Sequence, residues 1–176
     1  MQNNKNKETL EIYVLGDDFK YYENLKYLPL TSYPSNIQSA LIVYSLRGTA
    51  KISVHEDVHW IQPDELIILL PGQFVSFSEP SEDFLTVTMV ISSSMFGDAL
   101  SGVPRFSPHF FFYMRKNFST PLYDEECQRF IHFCNILIFR INLPRNLFRR
   151  ESIMQLLRVF YWDIYVAYKR NPKAAE

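Results

Sequence analysis

The chain has 176 residues, of which 47% are hydrophobic and 21% are charged, and its formal net charge is −1. This length and composition are typical of one soluble domain, or one domain with an appendage. The near-zero net charge gives no general argument for binding nucleic acid or a membrane. The charges are uneven, however. Residues 1–104 carry a net charge of −7 and residues 105–176 one of +6, which we interpret as two differently solvated faces or as halves that attract each other in an oligomer.

The first residues are polar and include no apolar stretch, so we predict no signal peptide. No apolar run in the sequence is as long as a membrane span. The two cysteines, Cys127 and Cys134, are seven residues apart in a predicted helix, which separates them by about 10 Å along one face. Because that distance is too long for a disulfide between them, we expect buried, reduced thiols in a cytoplasmic protein.

Strand patterns dominate residues 39–93. Residues 9–38 are expected to be irregular, apart from LEIYVLG, which can form a short strand. The strands that follow are predicted in ALIVYSLRG, AKISVHE, VHWI, LIILLPG, FVSFSE and FLTVTMVIS. Turn signals such as Pro71–Gly72 separate them. Alternation places Ala50, Ile52 and Val54 on one face of their strand.

Helix signals replace strand signals after residue 92. Helices are predicted over residues 92–100, with an N-cap in the Ser-rich start, and over residues 107–118, 120–143 and 147–170. A β block followed by a helical block is typical of an α+β domain and not of alternating βαβ units. Short strands at regular spacing predict that the β block is a sandwich or a barrel.

The last helix carries an apolar seam. Ile153, Leu157, Phe160 and Ile164 follow the 4-3-4 spacing of the a and d positions of a coiled coil. We predict that these four residues form a dimer interface, because the last two helices have more apolar surface than one small barrel can cover. The alternative is that the seam packs against the chain's own barrel or preceding helix.

Hydroxyl side chains on the central strands are the candidate ligand-binding groups. Thr86 and Thr88 share one face of the last strand, and Tyr44 and Ser76 lie on other strands. Inside a barrel, these four residues can hydrogen-bond a small polar ligand. Strand alternation does not assign the inner face, so the alternative is that the hydroxyls face solvent on the outside of a sheet.

The histidines do not predict a metal site. A metal-binding barrel needs several imidazoles and a carboxylate on neighbouring strands, and His55 and His59 instead flank a predicted hairpin turn. We therefore interpret them as surface turn residues, and we expect no metal and no cofactor. The sequence also has no G-x-S-x-G motif and no glycine-rich phosphate loop. We accordingly predict that the protein is not an enzyme.

Several of these segments together resemble a known family. RGTA, LLPG and SEDF within the strand block, followed by LYDEECQRFIHFCNIL and RRESIMQLLRVFYWDIYVAYKR, are similar to the N-terminal sensor domain of AraC-family transcription regulators, especially those of gut Bacteroidetes. The resemblance covers about residues 30–170. It implies a cupin-like β-barrel (a double-stranded β-helix) in residues 1–104, and a helical dimerisation segment with an antiparallel helix pair in residues 105–176.

The resemblance also implies a function. We expect a ligand-sensing and dimerisation domain that binds a small-molecule effector, such as a sugar, without metal and forms a homodimer. The family contacts DNA through two helix-turn-helix units, which these 176 residues are too short to include after the sensor. DNA binding is therefore expected only through a domain absent from this chain. The alternatives are a metal-dependent cupin enzyme and a dimerisation module whose filled barrel binds no ligand.

Overall fold

A computed structural model describes residues 8–101 and 108–170, with side chains described as far as residue 167. Within these ranges there are ten strands and four helices. The strands are β1 (Glu11–Leu15), β2 (Phe19–Leu25), β3 (Ser35–Asn36), β4 (Ala40–Arg47), β5 (Ala50–Val54), β6 (Asp57–Ile61), β7 (Glu65–Leu69), β8 (Phe74–Ser78), β9 (Leu85–Ile91) and β10 (Ser119–Pro121). The helices are α1 (Ser93–Ser101), α2 (Pro108–Lys116), α3 (Asp124–Asn142) and α4 (Arg149–Arg170).

The strands form two antiparallel sheets. The larger sheet has the order β1-β2-β9-β4-β7-β10, and the smaller sheet has the order β3-β8-β5-β6. The chain crosses repeatedly between the sheets, so that sequence neighbours such as β4 and β5 lie in different sheets. The sheets face each other, and every strand except β10, which lies between α2 and α3, precedes the helices in the chain. The predicted α+β class, with a cupin-like barrel followed by helices, is confirmed.

Two hydrophobic cores share the larger sheet. The inner core lies between the sheets, and it includes Leu41 and Val43 of β4 opposite Ile52 of β5 and Phe77 of β8. The outer core lies between the other face of the larger sheet and the helices, and it includes Ile42 of β4. We call these two faces of the larger sheet its inner face and its outer face. Because both are covered, β4 is buried almost throughout.

The alternation predicted for single strands is confirmed. Ala50, Ile52 and Val54 of β5 are buried in the inner core, and the residues between them are half-buried. In β9, Val87 and Met89 belong to the outer core. The opposite side of β9 therefore points into the barrel.

Helix α1 begins at its predicted serine cap, and α3 and α4 form the predicted antiparallel pair. Ser92 caps α1, because the backbone N–H of Met95 donates to Ser92 Oγ at 3.0 Å. Helices α3 and α4 are antiparallel, and the rings of Phe133 and Phe160 stack between them with centroids 4.9 Å apart. Cys127 and Cys134 are buried and free, as predicted.

An arginine of α4 ties this helix to the barrel. The Nε of Arg150 donates to Asp18 Oδ2 in the β1–β2 turn at 2.8 Å, and its Nη2 donates to Asp98 Oδ2 of α1 at 2.8 Å. Asp18 also accepts a hydrogen bond from the Ser92 hydroxyl at 2.8 Å. The two carboxylates and the guanidinium thus join the start of β2, both ends of α1 and the first turn of α4.

The structure differs from the sequence prediction in three strands. The two-residue strand β3 pairs with β8 and, like β2, lies in residues 9–38. Strand β2 lies in a stretch that was expected to be irregular, and its residues pair with both β1 and β9. The three-residue strand β10 pairs with β7 at the edge of the larger sheet and was not predicted. The expected boundary between residues 104 and 105 lies outside the described residues.

Candidate functional site

An open groove lies at one end of the barrel, where the segment of residues 28–39 crosses in front of the inner face of the larger sheet. Its volume is about 530 Å³. Most of the lining is apolar or uncharged, and the residues are Lys20, Tyr22, Leu28, Pro29, Leu30, Thr31, Ser35, Asn36, Ile37, Gln38, Ser39, Leu41 and Val90. We call this surface the barrel groove.

The sheet side of the barrel groove is one row of cross-strand neighbours. Val90 of β9 lies directly between Lys20 of β2 and Leu41 of β4. Lys20 carries the groove's one charge among the described lining residues, and it forms no ion pair with any described residue. An apolar floor is therefore flanked by Lys20, a solvent-exposed lysine that has no counter-ion in the described part of the chain.

The polar groups on the opposite side of the barrel groove already have partners within the chain. The hydroxyls of Thr31 and Ser35 are 2.7 Å apart, and Gln38 Nε2 donates to Asn36 Oδ1 at 2.9 Å. The backbone holds this side in place, because the N–H of Phe77 donates to the carbonyl of Thr31 at 2.9 Å. The rim therefore has few polar side-chain groups left over for a ligand.

Thr88 and Thr86 lie on the inner face, one and two rows deeper than Val90 of the barrel groove. Thr88 pairs with Tyr22 across the β2–β9 ladder, and both threonines are fully buried. Their Oγ1 atoms are 3.0 Å apart, and the Thr86 hydroxyl donates to the carbonyl of Leu25 at 3.1 Å. That carbonyl lies where the pairing of β2 with β9 is irregular. The Thr86 hydroxyl therefore provides a hydrogen bond to a backbone group at an interruption of the regular strand pairing.

The other two predicted ligand residues lie elsewhere. Tyr44 is on the outer face beneath α3, where its ring contacts Phe130 at a centroid distance of 5.0 Å and its hydroxyl donates to Asp64 Oδ1 at 2.7 Å. Ser76 is half-buried on the side of β8 that faces away from the inner core. Of the four residues, the structure brings together only Thr86 and Thr88, and the four do not line one pocket.

One of the two histidines that flank the predicted hairpin turn, His59, differs from its predicted placement in a turn. His55 is in the β5–β6 turn with a positive φ of 55°, as expected for a turn residue. His59 is instead a half-buried residue of β6, with Nε2 2.9 Å from Glu65 Oε2. Within the described residues, no group of three or more His, Cys, Asp or Glu side chains is placed to hold a metal ion.

The predicted dimer seam is part of the chain's own core. Ile153, Leu157 and Phe160 are buried in the outer core, and Ile164 is partly buried against it. The 4-3-4 spacing thus marks the face of α4 that meets the larger sheet and α3, which was the alternative interpretation. These side chains do not form an exposed surface on the described chain.

The opposite side of α4 carries three exposed apolar residues among polar ones such as Gln155 and Asp163. Val159, Trp162 and Val166 are 57%, 41% and 61% exposed. Their spacing of three and four residues places them in one line. Val159 is two residues beyond Leu157, or about 200° around the helix, so the line points away from the core. We call these three residues the α4 outer stripe. Sequence spacing alone could have found it, because it is a second apolar repeat in the same helix.

Comparisons with known proteins bear on the fold. No family model matches the sequence, and no curated protein matches it. Among solved structures, an apo variant of ToxT from Vibrio cholerae is similar with a TM-score of 0.53 and 11% identity, over 86% of this chain and 56% of that chain. ToxT with an unsaturated fatty acid bound is similar with a TM-score of 0.51 and 13% identity, over 86% of this chain and 55% of that chain.

These similarities show a shared fold. The chain spans about half the length of the ToxT structures that it matches. A cupin protein from Methanocaldococcus jannaschii, described as a double-stranded β-helix, matches 52% of this chain at 9% identity with a TM-score of 0.37, which is too low to bear on function. In the described part of this chain, no helix combines the length and the apolar character that crossing a membrane requires.

Proposed function

We propose that this chain is the ligand-sensing and dimerisation module of a cytoplasmic AraC-type transcription regulator, and that its effector binds in the barrel groove. ToxT, with which it shares its fold, is an AraC-family regulator. The observation that carries the proposal is Lys20, a cation without a described counter-ion at one side of an apolar groove of about 530 Å³. Contact with DNA would come from a helix-turn-helix domain outside these 176 residues.

The chemistry of the barrel groove favours an apolar molecule with one carboxylate. Leu41 and Val90 offer an apolar floor, and Lys20 offers a single positive charge in the same row. A sugar needs many hydrogen-bonding groups, and the hydroxyls of Thr31 and Ser35 are already bonded to each other. We therefore propose an amphiphilic carboxylate and not a sugar as the effector. The fatty acid bound to ToxT is a ligand of this class.

A route from the barrel groove to the helices runs through β2. Lys20 lines the groove, and Asp18, two residues before it, is bonded to Arg150 of α4 at 2.8 Å. An effector that shifts β2 would strain or release this contact and so change the position of α4. Such a switch requires that the effector bind more tightly to one of the two helix positions.

The proposed homodimer uses the α4 outer stripe in place of the buried seam. A twofold axis beside α4 would bring Val159, Trp162 and Val166 of two copies together, since a symmetric dimer buries the same patch on both copies. The spacing of the stripe is that of a coiled-coil seam. Val159→Glu should therefore produce a monomer with an intact fold, measurable by light scattering. An unchanged mass would contradict this interface.

Calorimetric titration tests the effector proposal. We expect the purified chain to bind oleate or dodecanoate below their micelle concentrations, and to bind glucose or arabinose at least tenfold more weakly. Lys20→Gln should weaken carboxylate binding at least tenfold, about 1.4 kcal/mol. Lys51→Gln should not, because Lys51 lies on the smaller sheet and pairs with Glu79 at 3.2 Å. Equal effects of the two variants would contradict the proposal.

Two further measurements separate the rival functions. Stoichiometric zinc, iron or manganese in the purified protein, found by elemental analysis, would favour a metal-dependent enzyme. A thermal-shift screen that finds no stabilising compound among carboxylates and sugars would favour a dimerisation module with a filled barrel, because a ligand that binds only the folded state raises Tm.

A further inference from the structure

Three hydroxyl groups lie together on the inner face of the larger sheet, deeper in the barrel than the barrel groove. Thr86 and Thr88 are on β9, and Ser45 of β4 is the direct cross-strand partner of Thr86. Ser45 continues the alternation of Leu41 and Val43, whose side chains belong to the inner core. All three hydroxyl residues are 0% exposed. We call Ser45, Thr86 and Thr88 the hydroxyl cluster.

The hydroxyl protons of the two threonines are both in use. A carbonyl oxygen can only accept a hydrogen bond, so the 3.1 Å contact with the Leu25 carbonyl takes the Thr86 proton. The Thr88 hydroxyl is therefore the donor in the 3.0 Å contact between the two Oγ1 atoms. A hydroxyl oxygen also accepts hydrogen bonds through its lone pairs. The β9 side of the hydroxyl cluster can thus accept a further hydrogen bond, but it has no proton left to donate.

Ser45 offers a donor that does not bond to these acceptors directly. Its Oγ is buried and has no hydrogen-bond partner among the described residues. The Cβ atoms of directly paired residues are about 4.5–5.5 Å apart, so the Ser45 side chain lies beside that of Thr86 without a hydrogen bond between them. Buried polar groups in proteins are almost always bonded to the protein or to ordered water. Ser45 therefore indicates a partner that the described part of the chain does not supply.

The strands are irregular on both sides of the hydroxyl cluster. Between Ser45 and Arg47, β4 has one residue more than the segment of β9 with which it pairs. Between Tyr22 and Leu25, β2 also has one residue more than its partner segment of β9. Both irregularities lie at the level of Thr86. A bulge leaves its extra residue out of the ladder and bends the strand, which makes room beside Thr86 that regular ladders would not leave.

We propose that the hydroxyl cluster binds one ordered water molecule inside the barrel. The water accepts a hydrogen bond from the Ser45 hydroxyl and donates to the threonine oxygens of β9. Every hydroxyl proton then has an acceptor, and the contacts of 3.0 Å and 3.1 Å remain in place. Buried waters typically bond to polar groups that the protein leaves unpaired. The three groups are uncharged hydroxyls, so the site suits water and not an ion.

The water completes a chain of hydrogen bonds across three strands of the larger sheet. The chain runs from Ser45 of β4 through the water and the threonines of β9 to the Leu25 carbonyl of β2. The two bulges interrupt the backbone pairing at the same level, so the water joins the strands where the ladders do not. This inference does not rest on the proposed function of the barrel groove, because the water belongs to the fold with or without an effector.

A crystal structure of the whole chain, at a resolution that shows ordered water, tests the site. We expect a water oxygen within about 2.5–3.0 Å of Ser45 Oγ and of a threonine Oγ1. Two results would overturn the inference: no water at this place, or a Ser45 hydroxyl that donates directly to Thr86. Both results are visible in the unsubstituted chain, so this test does not depend on the folding of a variant.

Two alanine variants give an independent test in solution. Ser45→Ala removes the donor, so it should lower Tm by about 1–6 °C more than the control does, the loss expected for one hydrogen bond in a chain of this size. Ser76→Ala is the matched control, because Ser76 is a half-buried serine on the side of β8 that faces away from the inner core. If Ser45 had no partner, Ser45→Ala would remove an unpaired buried hydroxyl and raise Tm relative to the control. Such a rise would contradict the bound water.

Discussion

Replacing Leu157 by alanine would measure what the apolar seam of α4 does. The side chain is 0% exposed and belongs to the outer core with Ile153 and Phe160. Truncating a leucine that is enclosed by helices and a sheet removes its transfer free energy and leaves a cavity, which costs about 2–5 kcal/mol of the free energy of unfolding. For a chain of this size, 1 kcal/mol lowers Tm by about 2–4 °C. We therefore expect a fall in Tm of roughly 4–20 °C.

Urea unfolding followed by circular dichroism would give the free energy directly, with Gln155→Ala as the control on the same helix. Gln155 is exposed and belongs to neither the seam nor the α4 outer stripe, so this control should change the free energy of unfolding by less than about 0.5 kcal/mol. The measurement should be repeated over a hundredfold range of protein concentration. If the seam were a dimer interface, Leu157→Ala would change the concentration dependence of Tm. A loss below 1 kcal/mol together with a change of mass would refute the placement of Leu157 in the core.

Two further predictions concern the turns. Gly48→Ala should destabilise the fold by more than Gly72→Ala: both glycines have a positive φ, but a Cβ at Gly48 would lie 2.5 Å from the backbone of Phe84, whereas nothing lies within 4 Å at Gly72. Backbone strain alone costs about 1 kcal/mol or more, and Gly72→Ala measures this cost without a clash. Chemical denaturation of both variants would therefore give the cost of the clash at Gly48 as the difference between their free energies of unfolding. Asp18→Asn should make the free energy of unfolding fall less steeply with pH at acidic pH, because the hydrogen bond from Arg150 lowers the pKa of Asp18. The stabilisation is present above the unfolded pKa of about 3.9 and is lost as the pH falls towards the folded pKa. For a pair this exposed the stabilisation amounts to about 1 kcal/mol or less. The prediction would be contradicted if the stability of Asp18→Asn depended on pH between pH 5 and pH 2 in the same way as that of the unsubstituted chain.

Local patterns were sufficient to predict most of the fold. Alternation identified the buried side of β5 correctly, and the serine cap and the proline-rich boundaries placed the helices within a few residues. Strand β2 was missed because FKYYENL is mostly polar and aromatic. It is a strand because β1 and β9 supply partners on both sides. Strand β10 has three residues and depends entirely on β7, which no local pattern can indicate.

The site was less accessible to sequence reasoning. Alternation correctly placed Thr86 and Thr88 on one face, but it could not show that Tyr44 lies on the opposite face of the same sheet, because both faces are apolar. The same limit applied to α4. The repeat of Leu157 and its neighbours and the repeat of Val159 and its neighbours have equal spacing, and only the fold shows which one is covered. Ser45 and Lys20 had no signal at all, since each depends on what the other strands place beside it.

The outer core has a consequence for how such a molecule can respond. Leu137 of α3 and Leu157 of α4 lie in one cluster with Ile42 and Met89 of the larger sheet. The surface that would transmit a response is therefore the surface that holds the fold together. A substitution that loosens this cluster makes helix movement easier and also lowers the melting temperature. A substitution that tightens the cluster makes helix movement harder and raises the melting temperature. If the proposed sensing function is correct, sensitivity to the effector and thermal stability are linked, and a series of outer-core variants should lie along one line when the two are plotted together.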